Sequence, residues 1–235
     1  GADGLIVLGP GVTDADATMT LFNADGDPAE MSGNGIRCLA WEAVRRGLGD
    51  GKRLVVSTGV ESRDRREITV ELDDSGAVTA ATVDMGAVTF EPAEIPLRAP
   101  SAFDLTAEFH GVEYHGDAAG VGNPHLVLLV DDPAVARVVQ HGSRLEHDDR
   151  FPNRTNVEFI AVTAPGEITM RVWERGVGET LSCGTGACAA AAVAHRRGLV
   201  GDHVIVHVPG GDLTVDLGDT VRLGGSVTHV FDVDV

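Results

Sequence analysis

The chain carries the same stretch twice, a constant 151 positions apart, as from Ser32 to Cys183. Thr18-Met19-Thr20-Leu21-Phe22-Asn23 returns as Thr169-Met170-Arg171-Val172-Trp173-Glu174. Ser32-Gly33-Asn34-Gly35 returns as Cys183-Gly184-Thr185-Gly186, and Arg45-Arg46-Gly47-Leu48 as Arg196-Arg197-Gly198-Leu199. The same step is expected to carry Leu54-Val55-Val56 onto Ile205-Val206-His207 without a gap. Each copy reads as strand, loop, helix and strand. A period this long means two similar domains and not a solenoid.

The second copy holds the clearest chemistry. Cys183 stands directly before a Gly184-Thr185-Gly186 turn, and small apolar residues follow from Ala187 to Ala194. Gly198 just after Arg196 and Arg197 is a helix stop with cations in the last turn. The helix is apolar almost all round, which predicts burial on most sides. A thiol at the mouth of such a helix faces backbone N–H groups and the positive end of the dipole. That setting predicts a thiol shifted down from its ordinary value of about 8.5 towards neutrality. Cys38 and Cys188 lie inside helical stretches and are expected in the core.

Composition bounds the rest. The 235 residues suffice for one large or two small domains. A net charge of −18 disfavours nucleic acid and anionic membrane as partners. Three cysteines are too few for a disulfide framework. With no signal peptide and no long apolar run, a cytoplasmic protein is expected. The chain opens on Gly1, mid-pattern, as though an upstream part were absent.

In order, strands are predicted at 5–8, 17–22, 53–57, 67–72 and 77–85, with a helix over 33–46. The proline-bearing stretch 91–100 reads as a linker. It predicts a first, partial domain over 1–95 and a second over 96–235, with the last strand able to return to the first. Residues 106–114 alternate as a strand, 133–140 suit a short helix, and 212–235 suit three closing strands. His110 and His115 read as structural. Strands dominate, without βαβ alternation and with one buried helix per half.

Two helix mouths, each carrying a hydroxyl or thiol before G-x-G, suit one anion such as a carboxylate. A reactive side chain from each half would address opposite faces of one carbon, taking a proton from one and returning it to the other. No pattern suggests pyridoxal phosphate, nicotinamide or a metal cage.

Four segments carry a resemblance: Asn23 to Cys38 (N-A-D-G-D-P-A-E-M-S-G-N-G-I-R-C), Gly122 to His125 (G-N-P-H), Phe151 to Phe159 (F-P-N-R-T-N-V-E-F) and Trp173 to Cys188 (W-E-R-G-V-G-E-T-L-S-C-G-T-G-A-C). Together and in this order they resemble the diaminopimelate epimerase family. The resemblance implies an α+β fold of two pseudo-symmetric mixed β-barrels, each wrapped round a central helix, with the site between them. It implies a cofactor-independent isomerase that interconverts LL- and meso-2,6-diaminopimelate, supplies lysine and peptidoglycan synthesis, and works as a homodimer. Cys183 matches one of the family's two catalytic cysteines. Gly33, Asn34, Gly184 and Thr185 match amides that hold the reacting carboxylate. Asn23, Asn123 and Asn156 match substrate-binding asparagines, and Glu174 and Arg175 match a Glu-Arg pair that contacts substrate. His125 and Glu174 resemble the pair that tunes the cysteines.

Two departures stand out. Ser32 occupies the place of the other catalytic cysteine, and an alcohol is a far weaker acid than a thiol. The family's opening segment, with another substrate-binding asparagine, is absent. Several readings stay open at Ser32: the hydroxyl or a water relays the proton, a cysteine has been replaced, or the chain is a related one-base racemase or dehydratase. A catalytically impaired amino-acid-binding homologue is the non-enzymatic alternative.

Overall fold

The computed structural model describes residues 4–23, 26–29, 32–58 and 64–233. Two compact units emerge, Gly1–Asp84 with Gly224–Val235, and Met85–Leu223. The division in sequence precedes the expected one after residue 95. The proline-bearing stretch is not a free linker: Ile95 and Leu97 are buried in the second unit's core beside Phe159 and Leu126.

The first unit runs β1 (Gly4–Pro10), β2 (Ala17–Asn23), β3 (Pro28–Ala29), α1 (Gly33–Arg45), β4 (Arg53–Thr58), β5 (Asp64–Leu72) and β6 (Val78–Asp84). Its sheet order is β1-β2-β4-β5-β6, with β3 on β2. The β2–β4 pair is parallel and α1 is the crossover between them. Ile36, Leu39, Ala40 and Ala43 fall on one face of α1 and are all buried. That face meets β1, β2, β5 and β6. Cys38 lies off the stripe and is exposed, contrary to the core position expected for it.

The second unit runs β7 (Leu105–Phe109), β8 (Val112–Gly120), β9 (Pro124–Leu129), α2 (Val138–Glu146), β10 (Asn156–Ala164), β11 (Glu167–Glu174), β12 (Gly178–Thr180), α3 (Gly184–Arg196), β13 (His203–Val208) and β14 (Gly211–Asp216). The order is β14-β13-β11-β10-β9-β8-β7, with β12 on β11. Here β9–β10 and β11–β13 are parallel. Helix α3 touches β8, β9, β10, β11, β13 and β14, so the sheet curves around it. Its alanines allow this: residues 187–194 are all buried, and short side chains let strands close in on every side. Strand β15 (Arg222–Ser226) leads the chain to Val227, whose N–H donates to the Thr79 carbonyl of the first unit at 2.9 Å.

Several local expectations change. Both copies are strand–helix–strand crossovers between parallel strands, and β9–α2–β10 is a third, so βαβ units are present after all. An amphipathic helix covering a mixed sheet needs no long apolar parallel strands to announce it. The short helix begins at Val138 and not at Pro133, because Asp132 closes a turn through the Ala134 N–H at 2.8 Å. Residues 106–114 are a hairpin: His110 takes a positive φ of 50° in the turn between β7 and β8. After β15 the described residues to 233 form no third closing strand.

The repeat holds through the helices, since Gly33–Arg45 and Gly184–Arg196 differ by the same step. Beyond them it slips by one. Ala17 pairs with Val56, whereas Ile168 pairs with Val206, and the buried residues are Leu54 and Val56 against Val204 and Val206. The first copy spends one more residue between helix and strand. A one-residue slip turns a strand inside out, so the equivalence follows the buried face and not the ungapped sequence.

Both helices end on a glycine at positive φ, Gly47 at 75° and Gly198 at 72°. In α3 the flanking Arg197 forms a two-pronged pair with buried Asp117 of β8, at 2.6 Å for each bond. Removing one partner of such a pair strands a buried charge. Arg197→Ala is expected to lower the unfolding free energy by about 3 kcal/mol, read by urea denaturation. A loss under about 1 kcal/mol would show that Asp117 is solvated on its own.

Candidate active site

Each helix mouth is built by its own N-cap. Ser32 sits at φ −130°, ψ 117° and its Oγ accepts the Gly35 N–H at 3.0 Å. Cys183 sits at φ −128°, ψ 112° and its Sγ accepts the Gly186 N–H at 3.4 Å. Serine is a favoured cap; a thiol is an unusual one, so its place here calls for another reason. Gly33 and Asn34 open α1 as Gly184 and Thr185 open α3, in the first turn, where no preceding turn supplies carbonyls for the amides. The Asn34 Oδ1 accepts from Arg37 at 3.2 Å.

The second glycine of each G-x-G faces close neighbours. A Cβ on Gly35 would lie 2.6 Å from Ile6 Cδ1 and 3.2 Å from Ser32 Oγ. On Gly186 it would lie 2.7 Å from Glu158 Oε1 and 3.2 Å from Cys183 Sγ. The bare α3 mouth therefore brings a carboxylate up to the thiol.

Around Cys183 the second unit assembles most of its expected site residues. His125, fully buried, meets Glu158 Oε1 through Nδ1 at 2.7 Å and Asn123 Oδ1 through Nε2 at 2.9 Å. Glu174 accepts from the Thr180 hydroxyl. The Thr185 hydroxyl lies 3.6 Å from Cys183 Sγ. Asn156 is only 4% exposed. Its Oδ1 accepts the Arg175 N–H at 2.9 Å and its Nδ2 donates to the Pro124 carbonyl at 3.0 Å. Asn156 thus anchors the Glu174-Arg175 turn to β9. Asn23 ends β2, and its side chain lies outside the described residues, as do 24–25 and 30–31.

The thiol does not behave as the helix mouth alone predicts. Burial pushes the Cys183 thiol well up, and Glu174 and Glu158 push it further. The bonds from Thr185 and the Gly186 N–H only partly oppose them. Desolvation and like charge outweigh the dipole here, so Cys183 is protonated at neutral pH. Glu174 is itself raised, chiefly by burial and further by Glu158, against its Thr180 bond.

Two carboxylates were not singled out by sequence reasoning. Glu158 is a lone charge inside the apolar run Val157–Ile160, whose every side chain is buried. That single charge was the available signal. Glu146, on α2, accepts from Trp173 Nε1 at 2.8 Å and from the Gly176 N–H at 2.9 Å, bracketing the Glu174-Arg175 turn. No motif marks it, because the contact spans α2 to β11. Among the described residues no group of three or more His, Cys, Asp or Glu is placed to hold a metal ion.

The family profile described as diaminopimelate epimerase matches residues 1–91 and 118–228. The chain belongs to the diaminopimelate epimerase family. It is 43% identical to the diaminopimelate epimerase of Pelotomaculum thermopropionicum, over 98% of this chain and 82% of that protein. It is 38% identical to that of Methanothermobacter thermautotrophicus, over 99% and 82%. Among solved structures, a hydroxyproline epimerase from Agrobacterium vitis with bound trans-4-hydroxy-L-proline superposes with a TM-score of 0.71 at 18% identity. It covers 95% of this chain and 71% of that one. A Bacillus anthracis phenazine biosynthesis protein of the PhzF family gives 0.59 at 17% identity, over 91% and 77%. These two likenesses establish the shared fold: the chain has the diaminopimelate epimerase-like α+β architecture of mixed sheets around helices.

Glu146→Ala leaves the Gly176 N–H and Trp173 Nε1 without their acceptor and frees the Glu174-Arg175 turn. Expected is a rise in KM of about tenfold with the fold retained, since one well-placed hydrogen bond to a charged group contributes roughly 1.5 kcal/mol. Steady-state kinetics with unchanged circular dichroism checks it; an unchanged KM would mean the turn holds by Asn156 alone.

Proposed function

We propose that this chain is a cofactor-independent diaminopimelate epimerase, interconverting the LL and meso isomers of 2,6-diaminopimelate in lysine and peptidoglycan precursor synthesis. The observation that carries the reading is Cys183, a buried thiol capping α3 beside Glu158 and Glu174. Family membership supplies the substrate.

The residues act as follows. The first-turn amides of Gly184 and Thr185 hold the substrate carboxylate and stabilise charge that builds on it as the Cα proton leaves, the role that the family match also gives to Gly33 and Asn34. Cys183 delivers a proton to one face of Cα, or as thiolate removes one. Ser32, at the position of the family's other catalytic cysteine, supplies the second proton relay through its hydroxyl or a held water. Glu174 and Arg175, with Asn123 and Asn156, form or frame the binding pocket on the second unit, and the family match gives Asn23 a part in substrate binding. His125 and Glu174 tune the thiol. The two compact units are the two domains of this enzyme, which works as a cytoplasmic homodimer. Among the described residues no helix is long and apolar enough to cross a membrane.

Ser32 favours one further reading, a one-base enzyme in which only the Cys183 side exchanges protons. Proton NMR in deuterium oxide separates the two, with each isomer supplied alone. Exchange with inversion from both isomers is expected. Exchange without inversion would establish the one-base reading, and its absence from both would overturn the assignment. Cys183→Ala is expected to reduce exchange by about a thousandfold or more, as loss of a positioned proton-transfer group does. Ser32→Cys, which supplies the more acidic group, is expected to raise it.

A further inference from the structure

The acid beside the thiol belongs to one copy of the repeat only. Leu5 pairs with Phe22 as Val157 pairs with Trp173, and Ile6 pairs with Leu21 as Glu158 pairs with Val172. Ile6 therefore holds in the first unit the place Glu158 holds in the second. Space around the two glycines agrees, for the nearest atom to a Cβ is Ile6 Cδ1 at Gly35 and Glu158 Oε1 at Gly186. One mouth pairs a serine with an isoleucine, and the other pairs a thiol with a carboxylate. The fold manages with an apolar side chain at this position, so the charge at 158 is not needed to build the mouth.

Keeping that charge is costly. Glu158 is fully buried, and while Oε1 meets His125, Oε2 has no hydrogen-bond partner among the described residues. A buried polar atom without a partner destabilises a fold, so its presence here calls for a role at the site. We propose that Glu158 is a positioning residue for Cys183: set against the bare Gly186 beside the sulfur, its carboxylate adds to burial and to Glu174 in holding the site in its proton-delivering form. The same carboxylate locks the His125 ring against Asn123. The inference rests on reading Cys183 as the proton-transferring group.

Other charges near the thiol are accounted for by element. Glu174 on β11 also favours the protonated thiol, and His125 on β9 is bonded to Glu158. Asp117 on β8 is paired with Arg197 at the far end of α3. His207 of β13 is paired with Asp212 of β14 and with Glu167 of β11.

The test titrates alkylation of Cys183 by iodoacetamide in the whole protein, read by mass spectrometry of its peptide from about pH 7 to about pH 11, with the rates at fixed pH below the midpoint compared between variants. Glu158→Gln keeps the shape and removes the charge; it is expected to move the midpoint down by about one pH unit, or tenfold in rate below it. Glu158→Asp keeps the charge and is expected to stay nearer the unaltered protein. A merely structural role predicts the reverse order, with the isosteric glutamine silent and the shorter aspartate disruptive. Should Glu158→Gln fail to fold, Ser32→Cys supplies a second thiol in a mouth without the acid. That thiol is expected to titrate below Cys183 in the same sample. An unmoved midpoint in a folded Glu158→Gln protein, or an introduced thiol titrating as high as Cys183, would overturn the proposal. No substrate is present, so failure of the diaminopimelate assignment would show separately, in the exchange experiment.

Discussion

The hydrogen bond from the second glycine N–H of each G-x-G to the cap before it organises each unit. It fixes the start of the helix, leaves first-turn amides facing outward, and sets the oxygen or sulfur at a defined place on the mouth. A side chain at either glycine would crowd its neighbours, because the cap atom itself lies 3.2 Å from where a Cβ would stand. Everything the site does depends on that bare backbone. In α3 it admits the Glu158 carboxylate; in α1 the same space is met by Ile6.

Crossover geometry then places the mouths. Helix α1 joins parallel strands β2 and β4, and α3 joins parallel β11 and β13. A crossover helix starts near the end of the strand it leaves, so each mouth follows the residues Phe22-Asn23 or Trp173-Glu174 closely. The alanine run of α3 allows six strands to contact one helix, which dries the surroundings of Cys183. Drying is what reverses the expected thiol chemistry: the dipole attracts a thiolate, but a buried sulfur between two carboxylates keeps its proton.

Much of this was legible in the residues. The repeat, both helices, the mouth at Cys183 and the glycine stop at Gly198 follow from local rules whose physics lies within a few residues. The local rules faltered where distance in sequence was large or a single residue mattered. The extra residue between α1 and β4 left no mark in the repeat, yet it decides which side chains of β4 are buried. Asp132 moved the start of α2 by capturing a turn. Ile95 and Leu97 look like linker residues beside prolines, and only the core around Phe159 shows them packed.

The sequence by itself determined the duplicated strand–helix–strand unit, the family and the place of Cys183 at a helix mouth, because periodicity and motif order are written along the chain. Tertiary structure decided the electrical state of that thiol. Glu158 and Glu174 lie on two different strands, and their charges reach Cys183 only once β10 and β11 are hydrogen-bonded side by side over α3 and water is excluded between them.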